Sequence, residues 1–389
     1  MTTATTIPSV GANQGANPLK GLLAYGQSPW MDYIRRDLLT TGELKKYIEN
    51  DGLRGMTSNP AIFEKAIVGS NVYADILSSP EAKKLDSKAL FEKIAIRDVQ
   101  DACDIFNPVY SESNRRDGYV SLEVSPYLAN DTKATIDEAR RLWKAVNRPN
   151  VMIKVPATPA GLPAIRQLLE EGLNINITLL FAQSAYEQVA EAFLAALEAR
   201  AVKGLDISHI ASVASFFVSR IDTLIDSQID EKLKTSTDPS QRALLDGLRG
   251  KVAIANARLT YKKYLELFGG PRWKSLASKG AQTQRLLWAS TSTKNPKYRD
   301  VLYVEELIGA DTVDTIPPAT FDAFRDHGKL RPSLTENVDA AAKTMADLAK
   351  AGLSMKEVTD KLLLDGVKLF ADAFTQLLAA TGKTAGAHA

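Results

Sequence analysis

Cysteine and histidine are almost missing from this chain of 389 residues, which has one cysteine and three histidines. The lone Cys103 cannot form an internal disulfide. The histidines, at His209, His327 and His388, do not stand at the spacing of paired metal ligands. We therefore expect neither a disulfide framework nor a metal centre.

Long apolar runs and an excess of one charge are lacking as well. No segment approaches the roughly 18 apolar residues of a membrane span, and 48 basic against 46 acidic residues leave a net charge of +2. That balance gives no overall field for attracting nucleic acid or a membrane. The first 18 residues are small and polar, without the basic and apolar regions of a secretory signal. We interpret residues 1–18 as a flexible N-terminal arm and expect a cytoplasmic protein.

Hydrophobic residues make up 45% of the chain, and they occur in a repeating pattern. Short β-rich runs alternate with longer amphipathic stretches, which is typical of parallel β/α units. The candidate strands are Pro29–Ile34, Leu53–Asn59, Gly118–Ser125, Asn150–Ala157, Asn174–Phe181, Ile210–Phe216, Arg285–Ser290 and Thr312–Pro317. Eight such units predict an α/β fold, the (β/α)8 TIM barrel.

Two intervals between these strands are too long for a bare β/α repeat of about 30 residues. Extra helices are expected there, in insertions near 60–117 and 222–282. Amphipathic segments beyond Phe321 predict C-terminal helices that pack on the barrel. Because no linker divides the chain, we expect a single barrel domain over 19–389.

Lys154 lies in the apolar strand segment NVMIKVPAT. Since side chains alternate along a strand, Ile153 and Val155 would face the surrounding helices and Lys154 the barrel interior. A neutral amine in a dry pocket can attack a carbonyl and form an iminium. The alternative is a structural lysine paired with an interior carboxylate, and the spacing leaves both open.

Two carboxylates could be partners of that lysine. Asp32 in PWMDYI and Glu123 in VSLEVSP are each flanked by apolar residues of a short strand, and carboxylates are rarely buried without a partner. They either neutralise Lys154 or transfer protons during iminium chemistry. The two roles are compatible.

Other polar residues stand at or near strand ends. Asn59 precedes a proline, which is a common turn signal, and could also bind a substrate hydroxyl. Asn176 and Thr178 share the segment NINITLLF, where a structural role is the simpler interpretation. Ser215 and Arg220 run from a strand toward a helix. Arg220 is either a solvated surface charge or, at a barrel mouth, a phosphate ligand.

The chemical signal is dispersed, because the sequence has no phosphate-loop GxxxxGK[ST], no GxGxxG after a strand, no HExxH and no GxSxG. The candidate functional residues lie mostly in six segments, which are, in chain order, GMTSNPAIFEKAI, VSLEVSPYLANDT, NVMIKVPATPAGLPAI, GLNINITLLF, SVASFFVSRID and QRLLWASTSTKNP. Together they closely resemble the transaldolase family of class I, Schiff-base enzymes, over about residues 20–325. The length and the insertions are similar to those of its longer bacterial branch.

The resemblance implies roles for the strand residues. Lys154 matches the Schiff-base lysine of the fourth strand, and Asp32 matches the first-strand general acid/base of carbon–carbon cleavage. Glu123 and Thr178 match the pair that holds and activates a catalytic water.

It also implies a substrate-binding set. Asn59 and Asn176 match contacts to substrate hydroxyls, and Ser215 with Arg220 matches part of the phosphate site. Phe217 matches a phenylalanine typical of transaldolases, at the position where the much shorter fructose-6-phosphate aldolases carry a tyrosine. Without that hydroxyl, transfer is favoured over free aldol cleavage.

The phosphate end departs from the family pattern. The shorter transaldolases have an arginine soon after the seventh-strand serine, as a second phosphate ligand. Here Ser290 is followed by Thr291, Ser292, Thr293 and Lys294. Lys294, or hydroxyls such as that of Ser290, would take its place.

The resemblance therefore implies a transaldolase of the pentose phosphate pathway. It would move a dihydroxyacetone unit from sedoheptulose 7-phosphate or fructose 6-phosphate to erythrose 4-phosphate or glyceraldehyde 3-phosphate. The lysine amine is the electron sink, so no metal or organic cofactor is expected. Sugar phosphates are the expected partners, with no nucleic acid and no membrane, and a monomer and a homodimer both stay open. The alternatives are an enzyme like fructose-6-phosphate aldolase and a non-catalytic barrel that binds sugar phosphates.

Overall fold

Eight parallel strands pair in chain order and close on themselves in the computed structural model, which describes residues 17–68 and 70–387. The strands are β1 Gln27–Asp32, β2 Gly55–Thr57, β3 Tyr119–Glu123, β4 Val151–Pro156, β5 Ile175–Leu180, β6 Ser212–Phe217, β7 Arg285–Ala289 and β8 Thr312–Ile316. The predicted (β/α)8 barrel is confirmed. Most of the predicted arm, residues 1–16, lies outside the described residues, and Asn17 already caps the first helix, which begins at Pro18.

The first strand begins two residues earlier than the sequence predicts, at Gln27. Its first two residues are polar and yet buried. The amide of Gln27 donates to the Leu307 carbonyl at 2.7 Å, and the Ser28 hydroxyl donates to Asp117 at 2.9 Å. The spacing of apolar residues cannot reveal a strand end whose buried side chains are polar and form hydrogen bonds with residues far along the chain.

Seventeen helices surround the barrel in the part of the chain that the structure describes. They are α1 Pro18–Gly21, α2 Arg36–Thr40, α3 Glu43–Asp51, α4 Pro60–Val68, α5 Ala74–Leu77, α6 Ser87–Glu112, α7 Thr132–Val146, α8 Gly161–Glu171, α9 Gln183–Val202, α10 Ser219–Thr235, α11 Pro239–Leu248, α12 Val252–Gly269, α13 Pro271–Ala277, α14 Leu302–Glu306, α15 Pro318–His327, α16 Val338–Lys350 and α17 Met355–Ala387. Within these described residues, none of the helices is both long and apolar enough to cross a membrane.

The extra helices fall where the long strand intervals predict them. Helices α4, α5 and α6 fill the interval before β3, and α10 to α13 fill the interval before β7. The break between α12 and α13 occurs at Gly270 and Pro271, since proline has no amide hydrogen for a continuing helix.

The last helix, α17, reaches across the carboxyl-terminal end of the barrel. It packs against α4, α6 and α10, and several of its side chains line the barrel mouth. Its large buried apolar residues, at helical spacing, are Val358, Leu362, Phe370, Phe374 and Leu377. Ion pairs such as Lys361 with Asp365, four residues apart, lie on its exposed face. An amphipathic helix far along the chain thus becomes part of the rim around the barrel interior.

The opposite, amino-terminal end of the barrel is closed by charged side chains. The guanidinium of Arg285, at the start of β7, donates to Asp117 and to Ser28, each at 2.8 Å. It also donates to the backbone carbonyl of Arg116 at 2.5 Å. These polar groups form their hydrogen bonds with one another, as expected for a structural closure of this end. The carboxyl-terminal end is the one where barrel enzymes place their active sites.

Candidate active site

A cavity of about 790 Å³ opens at the carboxyl-terminal ends of the strands. Its walls come from seven of the eight strands or the turns after them, together with α4, α10, α15 and α17. Of the predicted site residues, it is lined by Asp32, Asn59, Lys154, Thr178, Ser215, Phe217, Arg220, Ser290 and Lys294. Positions scattered over more than 260 residues of sequence therefore meet around one volume, where barrel enzymes place their active sites.

Lys154 projects from β4 into the barrel, as strand alternation predicts. Its side chain is 5% exposed, while the flanking Ile153 and Val155 are fully buried outside the cavity. The amine donates to the backbone carbonyl of Ser58 at 3.2 Å and lies 3.6 Å from Glu123 Oε2. One carbonyl and one carboxylate therefore fix the nitrogen at the base of the cavity.

Glu123 is the nearest charged neighbour of Lys154, because the two residues are in register on β3 and β4. Burial raises the pKa of Glu123 from 4.5 to about 7, although the Lys154 ammonium lowers it. Its Oε2 atom and the hydroxyl of Thr178 are both buried without a hydrogen-bond partner in the described structure. Two unsatisfied oxygens this deep are suited to binding a small polar molecule such as water.

Asp32 stands on the other side of the cavity, at the end of β1. Its carboxylate accepts a 2.7 Å hydrogen bond from Thr57, whose hydroxyl also lies 2.6 Å from that of Thr315. Burial raises the pKa of Asp32, against the lowering effects of Lys154, Thr57, Arg220 and Lys294. A carboxyl group held in this way can both accept and return a proton.

The two asparagines take different positions. Asn59 lines the cavity, and its carbonyl oxygen accepts from the backbone amide of Ile62 at 3.1 Å, so it also shapes the start of α4. Asn176 is fully buried and does not line the cavity. Its amide donates to Ser121 at 3.0 Å and accepts from Ser215 at 2.7 Å. The structure thus places Asn176 beneath Ser215, and its predicted contact with substrate stays a prediction.

Cations gather at the outer part of the cavity. Arg220 at the start of α10, Lys294 in the loop after β7 and Lys65 in α4 all line it. Among the described residues, none of the three forms an ion pair with a carboxylate. Burial lowers the pKa of Arg220 and of Lys294, and the charges of Arg220 and Lys65 lower that of Lys294 further. Unpaired cations around one cavity are suited to an anionic ligand such as a phosphate.

The loop after β7 is held in an unusual backbone conformation. Ser290 has φ = 57°, in the left-handed region that side chains disfavour. Its hydroxyl lies 2.9 Å from that of Ser219, and its carbonyl accepts from the Ser219 amide at 3.0 Å. Strain of this kind is common where a loop must present groups to a ligand.

Sequence reasoning missed several residues of the cavity. Thr57 and Thr315 line the cavity from short strands. The sequence held a signal for Thr57, because this last residue of β2 lies two positions before Asn59, and side chains two positions apart share a face in an extended strand. Lys65 lies one turn before the end of α4 and has no local signature. Phe370 comes from α17, and only the folded chain shows that its ring approaches Lys154 and Arg220.

A buried lysine 3.6 Å from a carboxylate, in a cavity at the mouth of a (β/α)8 barrel with a cationic outer rim, is suited to reaction with phosphorylated carbonyl compounds. Residues 29–381 match the family model for transaldolase/fructose-6-phosphate aldolase. The chain is 50% identical to a transaldolase of Trichodesmium erythraeum over 356 residues, which cover 91% of this chain and 93% of that protein. It is 48% identical to transaldolase 2 of a Nostoc species over 366 residues, or 93% and 96% of the two chains. It is 44% identical to a transaldolase of Thiobacillus denitrificans over 366 residues, or 94% and 100%. The chain belongs to the transaldolase/fructose-6-phosphate aldolase family and is an enzyme of that family.

Proposed function

We propose that this enzyme is a transaldolase. It transfers a dihydroxyacetone unit from sedoheptulose 7-phosphate or fructose 6-phosphate to glyceraldehyde 3-phosphate or erythrose 4-phosphate, in the pentose phosphate pathway. The observation that carries the proposal is the Lys154 amine, which lies 3.6 Å from a carboxylate at the base of a cavity with a cationic rim. The family match and the names of the relatives support the same reaction.

The first step joins substrate and enzyme. The neutral amine of Lys154 attacks the keto carbon of the ketose phosphate to give a carbinolamine. Glu123 and a water held with Thr178 supply the proton with which the carbinolamine hydroxyl leaves as water, and an iminium forms. The unsatisfied oxygens of Glu123 and Thr178 support this assignment.

The second step breaks the carbon–carbon bond. Asp32 takes the proton from the hydroxyl beyond that bond, and the bonding electrons move into the iminium to form an enamine. The aldose phosphate departs. The acceptor aldehyde then reacts with the enamine by the reverse sequence, and water releases the new ketose from Lys154. No bond-making step draws on a cofactor, because the lysine nitrogen holds the electrons.

The remaining predicted residues bind the substrate. Arg220, Ser290 and Lys294 would hold the phosphate, with the strained Ser290 loop presenting its groups to the cavity. Ser215 would belong to the same phosphate site. Asn59 and Asn176 would bind substrate hydroxyls, and Asn176 also accepts a hydrogen bond from Ser215.

Phe217 supports transfer rather than free aldol cleavage. Its ring lines the cavity and packs against Phe181 at 5.2 Å between centroids. It offers no hydroxyl to protonate the enamine. The enamine would therefore persist until an acceptor arrives.

Organisation and place in the cell remain proposals of the same kind. We propose one barrel domain over 19–389, supported by a single connected hydrophobic core in the described residues. We also propose a cytoplasmic location, as a monomer or a homodimer.

Borohydride trapping tests the central claim. The enzyme is incubated with fructose 6-phosphate, reduced, digested and analysed by peptide mass spectrometry. A three-carbon adduct on Lys154 is expected in the wild type, and Lys154→Arg should show neither adduct nor transfer. An unmodified Lys154 in an enzyme with full transfer activity would refute the mechanism.

A further inference from the structure

Phe370 is an aromatic residue that the C-terminal helix places in the cavity, outside every segment that the mechanism uses. We propose that Phe370 determines reaction specificity, by shielding the intermediate on Lys154 from water and by holding Arg220 in place for the phosphate. This inference rests on the transaldolase reaction proposed above. It assigns to α17 a part in the reaction that no strand residue supplies.

The Phe370 ring faces both the reactive amine and a cation of the rim. Its centroid is 5.7 Å from Lys154 Nζ and 6.0 Å from Arg220 Cζ, and the residue is only 8% exposed. These distances are near the outer limit of a cation–π contact, which is about 6 Å. Because Phe370 and Lys154 line the same cavity, the ring borders the space into which the three-carbon intermediate on Lys154 would extend.

Two aromatic rings lie close to Arg220. Its guanidinium carbon is 5.2 Å from the Phe217 ring as well as 6.0 Å from the Phe370 ring. Within the described residues it has no ion pair with a carboxylate. Rings can restrict a guanidinium without neutralising its charge, so Arg220 keeps its full attraction for a phosphate dianion.

The helix around Phe370 is firmly attached to the barrel. Phe374, one turn further along α17, packs edge-on against Phe91 at 5.7 Å and against Tyr127 at 5.3 Å. Glycine at position 366, one turn before Phe370, allows close approach, because a Cβ there would come within 2.9 Å of the Leu179 side chain. Close packing on both sides of Phe370 fixes the height of its ring above Lys154.

The chemistry explains why a shield matters. After the aldose phosphate leaves, three carbons remain on Lys154 as an enamine. If a proton adds to its nucleophilic carbon, the iminium returns. Water can then add to the imine carbon, the carbon–nitrogen bond breaks as the carbinolamine returns a proton, and free dihydroxyacetone leaves. A ring that excludes bulk water from this face slows that loss and preserves the enamine for the acceptor.

The test compares two rates in the same enzyme. One is release of free dihydroxyacetone from fructose 6-phosphate without acceptor, and the other is transfer to erythrose 4-phosphate. For Phe370→Ala we expect the ratio of release to transfer to rise about tenfold, and for Phe370→Leu, which keeps an apolar side chain, about threefold. Leu364→Ala is the matched control, because Leu364 is on the same helix, 73% exposed and outside the cavity. Its ratio should equal that of the wild type.

A second readout concerns the phosphate. Loss of the ring should raise the KM for erythrose 4-phosphate about threefold in Phe370→Leu and leave the KM for an unphosphorylated aldehyde acceptor unchanged. If both folded variants keep the wild-type ratio and the wild-type KM, Phe370 only packs the helix and the inference is wrong. Should Phe370→Ala fail to fold, Phe370→Leu alone decides. Borohydride trapping on Lys154 in each variant shows separately whether the proposed function holds.

Discussion

Replacing Glu123 by glutamine tests whether this residue transfers protons or only balances the charge of Lys154. Burial raises the pKa of Glu123 from 4.5 to about 7. That difference corresponds to roughly 3 kcal/mol of net preference for the neutral carboxyl. It persists although the Lys154 amine is only 3.6 Å away. Near neutral pH, both forms of Glu123 are therefore populated, as a group that accepts and returns protons requires.

The pH dependence of kcat/KM should reflect the charge of Glu123. Before Glu123 can supply a proton to the leaving hydroxyl, its carboxylate must accept one from the nitrogen that has attacked the keto carbon, so kcat/KM should fall as the pH drops through about 7. Glu123→Gln removes the proton acceptor and keeps the shape, and we expect kcat/KM to fall by about 10² to 10³. The acid limb of the profile should disappear from the residual activity.

The assay is kcat/KM for transfer from fructose 6-phosphate to erythrose 4-phosphate between about pH 5.5 and 9. The rate of borohydride-trappable iminium formation is measured in parallel. Glu112→Gln serves as the control, because Glu112 is exposed at the end of α6. If Glu123→Gln retains activity within about threefold of wild type and an unshifted acid limb, Glu123 merely pairs with Lys154. The proton-transfer role would then be refuted.

Two further predictions concern charges at the barrel mouth and in its wall. Lys65→Met should raise the KM for phosphorylated acceptors about three- to tenfold with little change in kcat, because it removes one of the three cations at the outer part of the cavity. Steady-state kinetics with phosphorylated and unphosphorylated aldehydes would contradict this if both KM values rose equally. Burial raises the pKa of Asp314 from 3.8 to about 8. The unfolded chain therefore releases this proton first, and stability should fall as the pH rises from about 4 to about 8. Asp314→Asn, which can still accept the hydrogen bond from Thr291, should narrow the difference in Tm between pH 5 and pH 8.5 by roughly 5 °C. Equal pH dependence in both proteins would contradict it.

The strand-borne part of the site could be predicted from the sequence. Period-two alternation gives the face on which a strand residue lies, and that is sufficient to place Lys154 and Glu123 inside a barrel. Parallel strands in chain order then bring their carboxyl ends to one edge. The depth of Asn176 could not be predicted, because alternation gives the side of a strand but not the height along the barrel axis.

The rim of the site was less predictable for a physical reason. Lys65 and Phe370 lie on helices, and which helical face meets the cavity depends on how α4 and α17 pack together. Phe370 is 216 residues beyond Lys154 and repeats at ordinary amphipathic spacing with Phe374. Nothing local distinguishes it from any other core phenylalanine.

The number of charges at the base of the cavity decides between the structural and the chemical interpretation of Lys154. One ammonium can neutralise one carboxylate, yet the charge of Lys154 lowers the pKa of both Asp32 and Glu123. Burial raises the pKa of both carboxyl groups in spite of that ammonium. If Lys154 had only a structural role, replacing the one carboxyl that it does not pair with by an apolar side chain would raise stability, because a buried group without a partner is costly. The arrangement makes sense when protons move among the three groups, with Glu123 serving the nitrogen and Asp32 serving the hydroxyl across the cavity. We therefore propose that the central lysine and these two acids carry out iminium chemistry, and that the outer cations select which carbonyl compound binds there.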